Sequence, residues 1–461
     1  MQVPAAIFRE YDIRGTVGDE LTVDVARAVG QAVATLGWSR LGRAPRLAVG
    51  RDNRPSGAAL AGGVLDGIVA AGGHATDVGE CPTPSLYFAT HTIGVDGGIQ
   101  VTGSHNPPEF NGFKIVLGGD AVFGEGIQAL RAMIADGQLA DRPEGRRAEH
   151  RGLLEAYRDA IVARNTPLAR PVAVVADCGN GVTSLIAVDT LRRLGARVTP
   201  LFAESDGRFP NHHPDPTVPE NLRDLQAAVR REGAELGIAF DGDGDRIGAV
   251  DETGRIVFGD HLLVLLGRDL ARRHGAGHPV IYDVKCSDVL PRALAAAGLR
   301  PLMWKTGHSL IKQKMKEVGA PLAGEMSGHM FFGADYFGFD DALFAAARLL
   351  HYVAREGGPL SRLLADLPAT FATPELRVDC PDARKFAVVA RAARHFATRY
   401  PVVTLDGVRI TFPEGWGLLR ASNTQPVLVL RFEATSEAAL ADYRAEVEDW
   451  LVADAFRQPP P

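Results

Sequence analysis

A threefold repeat constrains the fold of this chain more than any other feature. Three apolar runs each end on an aspartate: R-L-A-V-G-R-D at residues 46–52, V-A-V-V-A-D at 172–177 and P-V-I-Y-D at 279–283. Each is followed by an Ala/Leu-rich helix pattern, then a glycine (Gly72, Gly195, Gly298), then a second apolar strand. A third strand follows and runs into a polar loop. Those loops are T-G-S-H-N-P at 102–107, D-G-D-G-D-R at 241–246 and G-E-M-S-G-H at 324–329. Alternating strand and helix patterns imply α/β layers. Ligands bind in such sheets beyond the carboxyl ends of the strands. The reading is therefore three similar mixed-sheet α/β units, each offering one loop to a central cleft. The last hundred residues differ, with strands near 377–379, 407–412 and 427–434 and helices near 383–400 and 436–452. They read as a small α+β domain with an antiparallel sheet. The expected division is 1–150, 151–252, 253–369 and 370–461, which a length of 461 residues accommodates.

The central loop carries the sharpest chemistry. Asp241, Asp243 and Asp245 stand two residues apart with glycine between them. Three carboxylates so close repel one another unless a cation compensates them, and a hard divalent ion held by oxygen is the natural occupant. A calcium-binding EF-hand loop is the rival, since Glu252 falls at its twelfth position. But Arg246 stands where that loop needs glycine for its sharp turn, and the flanks L-G-I-A-F and I-G-A-V read as strands.

The first loop places Ser104 after a glycine at a strand end, with His105 next and Lys114 ten residues on. A serine-hydrolase elbow needs G-x-S-x-G, and Thr102 and Asn106 occupy those glycine positions, which argues against acyl transfer. A serine beside a metal-binding acid cluster points to phosphoryl chemistry, which needs positioning and charge neutralisation more than covalent machinery. In the last domain R-A-S-N-T at 420–424 joins a guanidinium, two hydroxyls and an amide, a set suited to phosphate.

Composition narrows the partners. The net charge of −6 carries no nucleic-acid footprint. The four cysteines are scattered, which suits a reducing cytosol rather than a disulfide framework. No apolar run reaches membrane-spanning length, and the N-terminus lacks a signal-peptide pattern. A cytoplasmic enzyme of small molecules is expected, monomer or homodimer.

Taken in order, F-R-E-Y-D-I-R-G at 8–15 and the four loops T-G-S-H-N-P, D-G-D-G-D-R, G-E-M-S-G-H and R-A-S-N-T resemble the α-D-phosphohexomutase superfamily, most of all its bacterial phosphomannomutase/phosphoglucomutase branch. The resemblance covers nearly the whole chain. It implies four domains around a cleft and interconversion of hexose 1-phosphates and 6-phosphates through a hexose 1,6-bisphosphate. By that resemblance Ser104 is the phosphoserine, and Asp241, Asp243 and Asp245 hold Mg2+ together with it. Glu325 and Ser327 bond the sugar's 3- and 4-hydroxyls. Arg420, Ser422, Asn423 and Thr424 grip the phosphate that is not reacting. Tyr11, Arg14, Lys114, Arg246, Lys285, His308 and His329 line the site, with Lys114 and His308 as candidate bases. Glucose 1,6-bisphosphate or mannose 1,6-bisphosphate is the implied activator. One departure stands out. The branch carries a basic and acidic trio after His329-Met330-Phe331-Phe332, whereas this chain has Gly333, Ala334 and Asp335. That removes two positive charges expected near the sugar loop and leaves phosphoglucosamine mutase as an alternative substrate assignment. A metal-dependent sugar phosphatase and a silent sugar-phosphate binder are the alternatives from other classes.

Overall fold

The structure, a computed structural model, describes residues 3–456 apart from 166 and 424. The repeat is realised as one strand arrangement built three times. In the first unit Arg46–Arg51, His74–Glu80 and Gly97–Val101 run parallel and Phe110–Leu117 returns antiparallel. The second unit repeats this with Ala173–Asp177, Arg197–Leu201, Leu236–Phe240 and the antiparallel Ile247–Asp251. The third uses Pro279–Asp283, Arg300–Trp304, Leu322–Gly324 and the antiparallel Met330–Phe332. In each sheet the spatial order is fourth, third, first, second. The central strands Gly97–Val101 and Leu236–Phe240 are buried along their whole length, as strands covered on both faces must be. The repeat glycines have a backbone cause. Gly72, Gly195 and Gly298 all sit in the left-handed region, at φ +78°, +101° and +80°, where the helix turns into the second strand. Because the fourth strand is antiparallel, the chain reverses directly beyond the third. Each polar loop is that reversal.

Among the described residues the four sheets have seven, five, four and six strands. Each unit keeps a core cluster of its own, and the first three share a further one. One buried cluster runs through Leu86 and Phe88 of the first unit, Ile238 and Phe240 of the second and Leu263 and Phe344 of the third. Helix Ala342–Glu356 is buried around nearly all its circumference and lies inside that cluster. The fourth unit is α+β as expected, with helices Asp382–Phe396 and Glu437–Phe456 against an antiparallel sheet. One of its strands, Gly415–Ala421, which opens on G-W-G, was missing from the sequence reading. Both glycines are packing sites: a Cβ at Gly415 would run into the Glu433 carbonyl, and one at Gly417 into the Phe432 ring. Among the described residues no helix is long and apolar enough to cross a membrane.

Asp341 caps helix Ala342–Glu356, accepting from the Phe344 N–H at 2.8 Å and from the Tyr157 hydroxyl at 2.9 Å. Burial pushes its carboxyl from 3.8 up to about 7. The folded state therefore binds this proton more tightly than the unfolded chain does. The associated stability is present below about pH 4 and is lost as pH rises towards 7. Asp341→Asn keeps a capping oxygen and removes the charge. Relative to wild type, its Tm is expected to gain between about pH 5 and pH 8. Equal Tm differences at both pH values would contradict this.

Candidate active site

The serine loop is held open by one buried guanidinium. Arg54, with no exposed side-chain surface, donates to the carbonyls of Ser104 at 2.8 Å, Asn106 at 2.5 Å, Pro107 at 2.5 Å and Phe110 at 3.0 Å. Its Nε pairs with Asp52 at 3.1 Å, and Asp52 in turn accepts from the Thr102 hydroxyl and the Gly103 N–H. Ser104 itself adopts φ +50°, a left-handed conformation that costs a non-glycine residue energy and persists only where its surroundings enforce it. Sequence reasoning placed Asp52 in the repeat but missed Arg54, whose signal was R-D-N-R at the strand end. Arg54→Lys keeps the charge and loses the fork. Turnover is expected to fall about 10²-fold, the cost of roughly 1 Å of misplacement at a reacting atom. Steady-state kinetics beside a melting curve test this, and an unchanged kcat would refute the scaffold role.

The acid loop meets the serine from the second unit. Asp241 Oδ2 accepts from Ser104 Oγ at 3.0 Å, and its Oδ1 accepts the N–H groups of Gly244, Asp245 and Arg246. Gly242 permits this approach, since a Cβ there would collide with the Ser104 carbonyl. Asp243 accepts from Thr83 at 2.5 Å and from Lys114 at 2.8 Å, and Asp245 also pairs with Lys114. All three carboxylates are fully buried and lie within reach of a single ion. Asp243 Oδ1 and Asp245 Oδ1 are buried with no hydrogen-bond partner among the described residues. Three negative charges against one ammonium leave two, the charge of a divalent cation. The residues present therefore fit a metal such as Mg2+. Burial, then Asp243 and Asp245, push the Asp241 carboxyl well up. Burial alone would lower Lys114, but Asp243 and Asp245 hold its ammonium well above the usual range. The EF-hand is ruled out, because the loop joins two antiparallel strands and no helices flank it.

Loops of all four units line one cleft of about 340 Å3. Tyr11, Arg14, Ser104, Lys114, Arg246, Lys285, His308, Glu325, Ser327, His329, Arg420, Ser422 and Asn423 all face it, above the buried triad. Thr424 lies outside the described residues. Arg14 donates to Asn106 Oδ1 at 2.9 Å and to Asp12. Glu325 accepts from the Gly307 N–H at 2.6 Å and from Ser327 Oγ at 3.0 Å. Lys285 donates to Glu375 at 2.7 Å. Burial would raise the Glu375 carboxyl, yet Lys285 draws it down to about 2. Arg420 pairs with Asp406 at 3.0 Å and ends a strand rather than lying in the turn expected of it. The Asn423 amide donates to the Tyr11 hydroxyl at 2.6 Å, and that hydroxyl donates to the Thr306 carbonyl at 2.8 Å. Tyr11 thus links the first, third and fourth units across the cleft. His308 and His105 are held well below the usual imidazole range, by burial first, then by Lys312 for His308 and by Arg246 for His105.

The cleft also takes in Arg9, His105, Asp215, Glu375 and Arg377, none of which the sequence reading named as a site residue. Arg9 and His105 lay inside quoted motifs. Glu375 and Arg377 carried no local signal. Gly333, Ala334 and Asp335 do not line the cleft. Asp335 instead pairs with Arg273 and, at 3.1 Å, with His274 at the end of helix Gly259–His274. The three positions of that departure therefore stand away from the cleft lining.

Residues 5–140, 155–254 and 258–371 match the three family descriptions "Phosphoglucomutase/phosphomannomutase, alpha/beta/alpha domain I", "domain II" and "domain III", and residues 375–449 match the C-terminal domain. The chain belongs to the phosphoglucomutase/phosphomannomutase family. Within that family it is 48% identical to a phosphomannomutase/phosphoglucomutase of Pseudomonas aeruginosa, over 95% of this chain and 94% of the relative. It is 45% identical to a phosphoglucomutase of Neisseria gonorrhoeae over 94% of each. A crystal structure of a phosphoglucomutase/phosphomannomutase family protein from Burkholderia thailandensis superposes with a TM-score of 0.90 at 44% identity, over 98% of both chains. For a phosphoglucomutase/phosphomannomutase fold, the four loops described above are the parts that meet.

Proposed function

We propose that this chain is a phosphohexomutase that interconverts the 1- and 6-phosphates of a hexose, mannose and glucose both, through a phosphoserine at Ser104 and a hexose 1,6-bisphosphate. One arrangement carries the reading. A single cleft is lined by Ser104, whose Oγ meets the acid triad, by Glu325 and Ser327 of the third unit, and by Arg420, Ser422 and Asn423 of the fourth. A sugar bisphosphate has two phosphates to place, and this cleft offers a separate site for each. The family names of the relatives agree with it.

Asp241, Asp243 and Asp245 are the residues to hold Mg2+ with the Ser104 phosphate, and Mg2+ bound there supplies positive charge against the phosphoryl oxygens. Arg420, Ser422 and Asn423 anchor the distal phosphate, and Lys285 serves the same anion by exchanging its Glu375 partner for it. Glu325 and Ser327 read the 3- and 4-hydroxyls, leaving the 2-position without a dedicated partner, so mannose and glucose are both accepted. In the first half-reaction the free hydroxyl oxygen forms the new P–O bond and the P–Oγ bond of phosphoserine breaks. The hydroxyl proton passes to His308, an imidazole that burial keeps neutral and that faces the cleft. Lys114 is a cation between two carboxylates and acts through its charge rather than as a base. The seryl Oγ leaves with the electron pair of the broken bond, within hydrogen-bond reach of Asp241 and His105, and the proton now on His308 balances its charge until the second half-reaction. The bisphosphate then turns and the second half runs in reverse.

The test is a coupled assay of glucose 1-phosphate to glucose 6-phosphate with Mg2+ and trace glucose 1,6-bisphosphate, repeated with mannose 1-phosphate and glucosamine 1-phosphate. Turnover of the first two without phosphate release is expected. Preference for the amino sugar, or net phosphate release, would reassign the substrate or the reaction.

A further inference from the structure

Beneath the sugar loop lies a fully buried carboxylate that no motif marked. Asp340 has no exposed surface, and its main chain forms a single bridge with Phe331, which seats it between His308 and His329. Its Oδ1 accepts from Lys312 Nζ at 2.9 Å. Its Oδ2 lies 3.0 Å from His329 Nδ1 and 3.9 Å from His308 Nδ1. The two imidazoles are stacked, with centroids 5.6 Å apart and planes 24° from parallel. One carboxylate oxygen thus faces the same ring nitrogen of both histidines.

The other side of His329 settles its tautomer. Arg246 Nε lies 2.9 Å from His329 Nε2. A guanidinium has no acceptor, so its N–H donates and Nε2 carries no proton. The neutral ring's proton then sits on Nδ1, with Asp340 Oδ2 at 3.0 Å, a contact close enough for charge but not aligned as a hydrogen bond. Asp245 Oδ1, 3.7 Å from the same nitrogen, adds a second negative end to that field. His308 Nδ1 has no hydrogen-bond partner among the described residues, and Asp340 is the nearest carboxylate to it that the ion pairs record. Asp245, His329 and Asp340 lie close enough to hold one ion, but Lys114 and Lys312 already pair with those carboxylates.

We propose that Asp340, neutralised by Lys312, is a positioning residue for the mutase reaction. It fixes His308 and His329 with Nδ1–H towards itself, leaving His308 Nε2 as the acceptor in the cleft and His329 Nε2 as the holder of the Arg246 guanidinium. The assignment rests on His308 as the group that takes the hydroxyl proton. Its logic is that of a carboxylate that orients a catalytic imidazole without itself changing protonation. Arg246 also donates its main-chain N–H to Asp241, so the same chain of contacts reaches from Asp340 to the acid loop.

Three measurements decide it. Long-range 1H–15N spectra of 15N-histidine-labelled wild type at about pH 8 are expected to show His308 and His329 as Nδ1–H tautomers, a result that does not depend on any variant folding. Asp340→Asn is expected to lower kcat by about 10²-fold with KM changed less than about threefold, and to shift those tautomers. In an H308A background the same substitution is expected to cost far less, because the group it positions is gone. Nε2–H tautomers in wild type, a D340N variant with wild-type kcat, or an equal cost of D340N in both backgrounds would each overturn the proposal. Absence of mutase turnover in wild type, with the expected tautomers present, would instead strike at the reaction assignment alone.

Discussion

Ser104→Ala is expected to lower hexose-phosphate interconversion by about 10⁴-fold or more, the scale set when a covalent nucleophile is lost. The argument is geometric. Ser104 Oγ stands 3.0 Å from Asp241 at the meeting point of two units, and the neighbouring hydroxyl, on Thr102, is already committed to Asp52 and Asp243. No other hydroxyl of that loop takes its place. The main chain of the loop is fixed through carbonyls bonded to Arg54, so removing one hydroxyl leaves the scaffold in place and the Tm close to wild type. Two readouts separate loss of chemistry from loss of structure. The coupled assay measures turnover, and intact mass after incubation with glucose 1,6-bisphosphate detects the phosphoryl adduct. Wild type acquires the adduct and the variant does not. An adduct of equal yield in the variant would move the covalent step to another residue.

Asp243→Asn is expected to be the next most damaging change. The triad and Lys114 together leave two negative charges, and the variant leaves one. Loss of one carboxylate from a small oxygen-ligand set weakens cation binding, and turnover is expected to fall by about 10²- to 10³-fold. Stability gives a readout independent of activity. A cation that binds only the folded state raises Tm with its concentration. Wild type, stripped with a chelator, is expected to show a rising Tm and recovered turnover as Mg2+ is returned, and D243N little of either. A wild-type Tm indifferent to Mg2+ would remove the metal from the triad. Asp243 also accepts from Thr83 and Lys114, so the metal-free Tm of the variant must be the baseline for comparison.

Much of the architecture was legible because its causes are local. Strand periodicity, the glycines at Gly72, Gly195 and Gly298 and the polar loop after each third strand reflect backbone demands that recur within each unit. The acid cluster was legible for the same reason, since D-G-D-G-D-R gathers its carboxylates within five residues. The misreadings came where a local cue had a distant cause. The strand that opens on G-W-G at 415–417 was missing, and Glu433 and Phe432 pack against it across the sheet. Gly333, Ala334 and Asp335 follow the sugar loop in sequence but turn away from the cleft, where Arg273 and His274 hold Asp335.

Sequence alone therefore determined the three-unit plan, the α+β end and the four loops that line the cleft. Tertiary structure alone decided how those loops meet. Lys114 reaches Asp243 across 129 positions, Arg54 reaches the Ser104 carbonyl across 50, and Asn423 reaches Tyr11 across 412. Asp340 gains its meaning only from the stacked histidines beside it. Hydrogen-bonded backbone patterns are short-ranged and leave a periodic trace. A buried charge is matched by whatever the packing of sheets brings within a few ångströms, and that proximity has no period for a sequence to carry.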